Sequence, residues 1–173
     1  MHLVERPVTA PDAHLLLTHY FTSRELDFPR ALGTYRVTYP DPAQFVPPAG
    51  VFLVATDDTG EPVGCGGIRM LPASDRARLP ERGVAGSAHN APTPVYEVKH
   101  VWLEPAARGQ GWASILMAAL EDRARAFGAD TVVLDTNASL ASAARLYARL
   151  GYGGVGPYND NPNATNWYLK RLG

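Results

Sequence analysis

The sequence predicts one mixed α/β domain spanning residues 1–173. Two observations lead to this prediction. Apolar segments with strand-like and helix-like spacing follow one another along the whole chain, and no linker, internal repeat or low-complexity segment divides it. A chain of 173 residues is also long enough to enclose a single hydrophobic core.

The first seventy residues are expected to contain a strand, a helix and a hairpin. Pro11 and Asp12 begin the helix, and the prolines between residues 28 and 50 predict loop with one or two short helical turns. A turn signal at residues 57–60 joins two strand-like runs into an antiparallel hairpin. Glycines in the second run predict a bulge or a close backbone approach. The expected elements are a strand at 3–8, a helix from 11 to about 26, and strands at 51–56 and 62–70.

A buried strand followed by a long helix is the strongest pattern in the chain. The strand covers residues 95–103, and the helix starts at Gly109, carries an apolar stripe and stops at Gly128. The polar connection before them, residues 72–94, is either a substrate lid or a mobile excursion. The remaining expected elements are a strand at 131–135, a helix at 139–150, and strands at 152–158 and 165–172.

The composition excludes several classes of partner. The net charge of −1 gives no basic surface for nucleic acid or an anionic membrane. The first residues show neither the basic start nor the apolar block of a signal peptide, so none is expected. No apolar run is long enough to span a bilayer, and the single cysteine, Cys65, suits a reducing compartment. We therefore expect a cytoplasmic protein. The five histidines lack metal-ligand spacing, so no metal is expected.

Residues 108–113, Arg-Gly-Gln-Gly-Trp-Ala, form a glycine-containing loop where the long helix begins. Unpaired N–H groups at a helix start attract anions, and glycines let a ligand approach the backbone closely. The loop lacks the Lys-Ser/Thr ending of a Walker loop and the third glycine of a dinucleotide fingerprint. It is interpreted as a phosphate site, with an ordinary helix start as the alternative.

Two motifs occur in the order and with the spacing of a known family. One is Arg/Gln-x-x-Gly-x-Gly/Ala, matched by Arg108, Gly111 and Ala113 after a strand and a proline. The other is A-x-x-L-Y-x-x-x-G-F/Y, which is matched by Ala143, Leu146, Tyr147, Gly151 and Tyr152. The chain thus resembles the GNAT superfamily of acyl-coenzyme A-dependent N-acyltransferases, most specifically over residues 95–153. One departure is Leu140, where many members carry asparagine. The resemblance implies a mostly antiparallel sheet of about six or seven strands, flanked by helices.

The resemblance also implies a binding site for acetyl-coenzyme A. The N–H groups of residues 109–114 would hold the pyrophosphate, and the backbone of Val101 and Leu103 would pair with the pantetheine arm. The Val101 N–H would point at the thioester carbonyl, where it would act as an oxyanion hole. Asn137 is either a cofactor contact or an N-cap of the next helix. The expected cofactor-binding residues are Val101, Trp102, Leu103, Arg108, Gly109, Gln110, Gly111, Trp112, Ala113, Ser114 and Asn137.

Two side chains are candidates for the chemistry. The resemblance implies that Tyr147 is the general acid that protonates the departing thiolate. The alternative interpretation is a tyrosine of the hydrophobic core. Glu97 lies four residues before Val101, so a regular strand places both on one face, where Glu97 could accept the proton of the amine. Its alternative is an ordinary strand carboxylate paired with Lys99.

The expected function is transfer of an acetyl group from acetyl-coenzyme A to an amine of a small molecule by direct attack in a ternary complex. Three alternatives remain at this point: a non-catalytic acyl-coenzyme A sensor, an acetyltransferase acting on a peptide or protein amine, and a nucleotide-binding regulatory domain that uses the glycine loop. The asparagine-rich segment 157–163 is either a wall of the acceptor pocket or a plain hairpin turn. A homodimer is left open.

Overall fold

The computed structural model describes residues 1–80 and 93–173, which form one seven-stranded sheet with helices on both faces. The strand order is β1-β2-β3-β4-β5-β7-β6, and all neighbouring strands are antiparallel except β4 and β5. The predicted fold class is confirmed. The strands are β1 His2–Glu5, β2 Gly50–Thr56, β3 Pro62–Met70, β4 Val95–Leu103, β5 Thr131–Thr136, β6 Gly153–Val155 and β7 Asn166–Arg171, and the helices are α1 Pro11–Asp27, α2 Ala73–Arg76, α3 Trp112–Ala126 and α4 Ala141–Arg149.

Some element bounds differ from the expected ones. β1 ends at Glu5, three residues early, and β6 has only three residues. Helix α3 begins at Trp112 because Gly109 and Gly111 adopt left-handed conformations that interrupt a helix. The predicted connection 72–94 contains the one-turn helix α2, and residues 81–92 of it lie outside the described part of the chain. The prediction that this connection is either a substrate lid or a mobile excursion therefore falls mainly on residues outside the described part of the chain.

The two faces of the sheet carry separate apolar clusters. Helix α3 covers one face, where Leu116 and Leu120 pack against Ile68 and Val98. Helix α1 covers the other face, where Leu16 and Leu17 join a cluster that includes Trp102. Each helix therefore buries the apolar stripe seen in its sequence, and β4 lies between them. Within the described residues, no helix is long and apolar enough to cross a membrane.

Strand β4 contains a β-bulge at His100. Gly67 pairs with Lys99 and Cys65 with Trp102, so two residues of β4 face the single residue between them on β3. His100 has a φ of 56°, which is uncommon for a residue with a side chain. The predicted irregularity therefore lies in β4, opposite the glycines. Gly67 itself marks a close approach, because a Cβ there would lie 2.6 Å from the Phe45 ring.

The bulge coincides with a separation of β4 from β5. These parallel strands pair only from Val95 with Thr131 to Glu97 with Val133, although both continue for several residues. Beyond Glu97, the edge of β4 that faces β5 has no partner strand in the described structure. The sheet is thus open at its centre, next to the loop that leads into α3.

Candidate active site

The loop before α3 presents a row of unused backbone donors. The N–H groups of the five residues from Gly109 to Ala113 have no hydrogen-bond partner among the described residues, whereas the Ser114 N–H donates to the Gly111 carbonyl at 3.0 Å. Gly109 and Gly111 have φ values of 80° and 79°, and a Cβ on either would point into open space. Consecutive free N–H groups at the start of a fifteen-residue helix form a site suited to a phosphate.

Arg108 holds the start of this loop against the end of β4. Its Nε donates to the Leu103 carbonyl at 3.0 Å, and its guanidinium lies 4.6 Å from the centroid of the Trp102 ring. Trp102 in turn donates to Glu104 at 3.4 Å. These contacts fix the loop relative to the strand, and they occupy the Arg108 side chain with structural partners.

A cavity of about 440 Å³ lies beside the open edge of β4. Its floor includes residues 98–101 of β4 and residues 135–137 at the end of β5. Helix α1 and the segment 35–41 form one wall, and the asparagines of the segment 159–163 form another. The segment 157–163 therefore contributes to the wall of this cavity.

Tyr147 of α4 lies at the edge of this cavity. The residue is 8% exposed, and its ring packs against Tyr152 and Tyr168, with centroids 5.8 and 5.9 Å away. Its hydroxyl makes no hydrogen bond to any other described residue, although it lines the cavity. Burial raises the pKa of Tyr147 to about 12, so the hydroxyl keeps its proton at neutral pH.

Glu97 lies beneath the cavity and is fully buried. Its Oε2 accepts from the Arg69 guanidinium at 2.7 and 2.9 Å. Its Oε1 accepts from Tyr158 at 3.0 Å, from Asn159 at 3.0 Å and from Lys99 at 3.3 Å. Five donors occupy the lone pairs of the carboxylate, so Glu97 meets a ligand only through these neighbours.

The expectation that Glu97 and Val101 share a face of β4 is wrong. The bulge at His100 inserts one residue between them and changes the alternation of side chains. Val101 packs on the α3 side, where its Cγ2 lies 3.4 Å from a Cβ built on Gly66. Glu97 lies on the opposite side, bonded to Arg69.

Lys99 links two carboxylates at the floor of the cavity. Its Nζ lies 3.3 Å from Glu97 and 3.1 Å from Asp135. Burial alone would lower the pKa of Lys99, but these two carboxylates raise it above its ordinary value. Burial alone would raise the pKa of Asp135, but the Lys99 ammonium and a hydrogen bond from Asn159 hold it below its usual range. Both groups are charged at neutral pH, and both line the cavity.

Comparison with known proteins identifies the family of this chain. A family model described as the acetyltransferase (GNAT) family matches residues 16–152. The chain belongs to the GNAT family. An N-acetyltransferase of Schizosaccharomyces pombe is 27% identical to the GNAT chain over 127 residues, covering 73% of this chain and 66% of that relative. The chain thus spans slightly less than two thirds of that relative's length.

Solved structures share the GNAT fold. A structure assigned as an acyl-CoA N-acyltransferase of Klebsiella pneumoniae superimposes with a TM-score of 0.71 at 24% identity, covering 99% of this chain and 97% of that one. A GNAT phosphinothricin acetyltransferase of Sinorhizobium meliloti, in complex with AcCoA, gives a TM-score of 0.62 at 20% identity, with 100% and 90% covered. At these identities the likeness shows the fold.

Asn137 is held by two hydrogen bonds within the GNAT domain. Its Oδ1 accepts from the Ser139 N–H at 3.0 Å, and its Nδ2 donates to the Asn163 carbonyl at 3.0 Å. It therefore forms a turn before α4, whose N-cap is Leu140. Asn137 also lines the cavity, so its role toward a cofactor stays a prediction.

Sequence reasoning missed the N-terminal wall of the GNAT cavity. The backbone N–H and carbonyl of Arg36 are both bonded to the Asn163 side chain, at 2.9 and 2.8 Å. This pair joins segments 127 residues apart and carries residues 35–41 over the cavity. A proline-rich coil has no periodicity that would have revealed this. In the part of the chain that the structure describes, no group of three His, Cys, Asp or Glu side chains could hold a metal ion.

Proposed function

We propose that this GNAT protein transfers an acetyl group from acetyl-coenzyme A to an amine of a small molecule, in a ternary complex. The observation that carries the proposal is the row of free N–H groups from Gly109 to Ala113, followed by an open strand edge and a cavity with Tyr147 at its border. Family membership supports acyl-coenzyme A as the donor.

Each part of the donor has a matching feature of the chain. The five N–H groups would bind the pyrophosphate, because they are unpaired donors at the positive end of α3. The unpaired edge of β4, residues 98–103, would pair with the amide-containing pantetheine arm as an added strand does. This pairing would put the thioester next to Val101, which lies at the floor of the cavity.

The chemistry needs one proton delivered and one removed. The nitrogen lone pair of the amine attacks the thioester carbonyl, a C–N bond forms, and the C–S bond breaks with departure of the thiolate. Tyr147 would protonate that thiolate, because its hydroxyl is neutral and has no competing partner among the described residues.

The proton of the amine would leave through the carboxylates below the cavity. Asp135 faces the cavity, and Glu97 is joined to it by Lys99 and by Asn159, whose Nδ2 lies 2.7 Å from Asp135 and 3.0 Å from Glu97. We therefore propose that Asp135 accepts the proton, and that Glu97, the predicted base, acts only through Lys99 and Asn159, which hold Asp135 in place. A proton would pass from Asp135 to solvent, because the lowered pKa of Asp135 does not retain it.

The size of the cavity favours a small acceptor. About 440 Å³ lies within the usual range for small-molecule sites, roughly 300–1,000 Å³. The segment 35–41, clamped by Asn163, restricts access from one side. A peptide acceptor would need this wall to move.

Two measurements test the proposed function. Thermal unfolding with coenzyme A, NAD or ATP compares donors, and only coenzyme A and its thioesters should raise the melting temperature strongly. Release of free thiol from acetyl-coenzyme A is then followed with a panel of small amines and peptides. Binding without amine-dependent thiol release would identify a sensor, and release only with peptides would identify a peptide acetyltransferase. No stabilisation by coenzyme A would refute the donor assignment.

A further inference from the structure

The cavity contains a cation that the proposed chemistry does not use. Arg24, in the last turn of α1, lines the cavity, and its guanidinium lies 4.9 Å from the centroid of the Tyr20 ring. No carboxylate of any described residue lies within ion-pair distance of it. Arg24 is half-buried. Of the other cations in the lining, Arg69 is neutralised by Glu97 and Lys99 by Glu97 and Asp135, and Arg36 is exposed.

Arg24 lines the same cavity as Val101 and Tyr147. At the floor of the cavity the Lys99 ammonium is paired with the carboxylates of Glu97 and Asp135, so these groups neutralise one another. Arg24 adds a positive charge to the α1 wall that no ion pair with a described residue offsets. An acceptor with an anionic group would neutralise Arg24 on the α1 side of the cavity, whereas an acceptor that carried only an ammonium group would leave Arg24 unpaired.

The other acidic residues of the wall do not compensate Arg24. Asp41 accepts a hydrogen bond from the Ala43 N–H, and Asp75 accepts one from Ser74. Neither forms an ion pair with Arg24. Aromatic rings, including those of Tyr20 and Tyr35, surround the site and lower its polarity, which strengthens a charge-assisted contact.

We propose that the acceptor is an amine that also carries an anionic group, a carboxylate or a phosphonate, and that Arg24 binds this group. The planar guanidinium offers paired donors that match either anion. The anion would lie on the α1 side of the cavity, and the amine would point toward Val101 and Tyr147. This inference rests on the proposed function and specifies its substrate class.

The test uses matched pairs of acceptors. Linear amino acids with two to six carbons, the corresponding aminoalkylphosphonates, and phenylalanine are each compared with the amine that lacks the anion. The measured quantities are kcat/KM for thiol release and the melting temperature of the coenzyme A-loaded protein with each compound. At least one acid should exceed its uncharged partner by on the order of 10- to 100-fold, the usual size of a charge-assisted contact. Comparing carboxylates with phosphonates identifies which anion fits.

Three variants assign the preference to the residue. Arg24→Gln should remove the preference in kcat/KM for the acid over the uncharged amine, and Arg24→Lys should retain part of that preference. The matched control is Arg30→Gln, which removes the same charge from an exposed position outside the cavity and should leave the ratio unchanged.

Two results would overturn this inference. One is equal use of acids and uncharged amines. The other is a preference for acids that persists in Arg24→Gln. If no compound is acetylated, the melting temperatures test the proposal instead. Acids that raise the melting temperature of the parent and of Arg24→Gln equally would show that Arg24 does not bind the anionic group. Each of these outcomes is compatible with coenzyme A binding and with transfer to other amines, so failure here is distinguishable from failure of the proposed function.

Discussion

Replacing Tyr147 with phenylalanine should separate catalysis from binding and folding. The ring packs against Tyr152 and Tyr168, and phenylalanine keeps these contacts. The hydroxyl has no hydrogen-bond partner among the described residues, so its removal should change the free energy of unfolding by less than about 0.5 kcal/mol. A general acid contributes roughly 10²- to 10⁴-fold in rate, which corresponds to about 2.7–5.4 kcal/mol of transition-state stabilisation. The predicted loss in kcat therefore greatly exceeds any loss in stability.

The assay measures three quantities in the Tyr147→Phe variant: kcat for thiol release, the Kd of coenzyme A by calorimetry, and the melting temperature. The matched control is Tyr168→Phe, which removes the hydroxyl of the neighbouring ring outside the cavity. We expect kcat to fall at least about a hundredfold in the first variant only, with Kd and melting temperature unchanged in both. Equal kcat in Tyr147→Phe and the parent would refute the general-acid role.

The pH dependence gives an independent check on Tyr147. Burial raises its pKa to about 12, and a general acid is active only while it is protonated. Loss of the Tyr147 proton should therefore not reduce kcat below about pH 11, which is one unit under that pKa. A descending limb near pH 10, the ordinary tyrosine value, that disappears in Tyr147→Phe would show that the hydroxyl is not buried as described.

Three further predictions concern other parts of the molecule. Gly111→Glu should abolish coenzyme A binding, because it places bulk and negative charge at the phosphate site, whereas Gly60→Glu, at a similar φ of 91° with open space around it, should bind normally. Unchanged binding in Gly111→Glu would mean that the loop is misassigned. Cys65 is fully buried, and burial raises the pKa of its thiol, so native protein should react with thiol reagents only on unfolding; rapid labelling would contradict this. The pKa of Asp135 in the folded protein is held below its ordinary value of 3.8, so the ionised carboxylate stabilises the fold above that pH. This stabilisation is lost as the pH falls through the lower folded pKa. From about pH 5 to pH 3 the urea midpoint of the parent should therefore fall more than that of Asp135→Asn. Parallel declines would show that Lys99 does not stabilise the ionised carboxylate.

The sequence was most informative where local chemistry determines local structure. The free N–H groups at the start of α3 follow from the left-handed conformations of Gly109 and Gly111, and these glycines can be recognised directly in the sequence. Gly128 and Gly151 end α3 and α4 with φ values of 85°, as their positions predicted. In each case a glycine is needed because other residues rarely adopt that backbone conformation.

Contacts between residues far apart in the sequence could not be predicted in the same way. Nothing local indicates that Asn163 bonds the backbone of Arg36, or that five donors converge on Glu97. These contacts depend on the three-dimensional path of segments without regular periodicity. The cavity wall and the buried ionic network could therefore be seen only in the structure.

The bulge at His100 explains both the main error and the main opening in the site. Nothing in the sequence around His100 marks a left-handed φ, so the sequence predicts regular alternation along β4, which puts Glu97 on the face of Val101. The strained conformation, which costs on the order of 1–3 kcal/mol, is held by rings packed around the imidazole, those of Tyr20, Phe21 and Phe45 at centroid distances of 5.4–6.2 Å.

Burial among these rings, and the nearby Lys99, lower the pKa of His100 to about 3, so the imidazole stays neutral and does not add charge to the cavity. A bulge bends its strand, and β4 separates from β5 after Glu97, just before this bulge, which leaves the strand edge unpaired beside the cavity. A regular strand at this position would have continued the ladder with β5 and closed the gap. The bulge at His100, which the sequence pattern does not predict, therefore lies where a thioester would reach Tyr147 in the proposed mechanism.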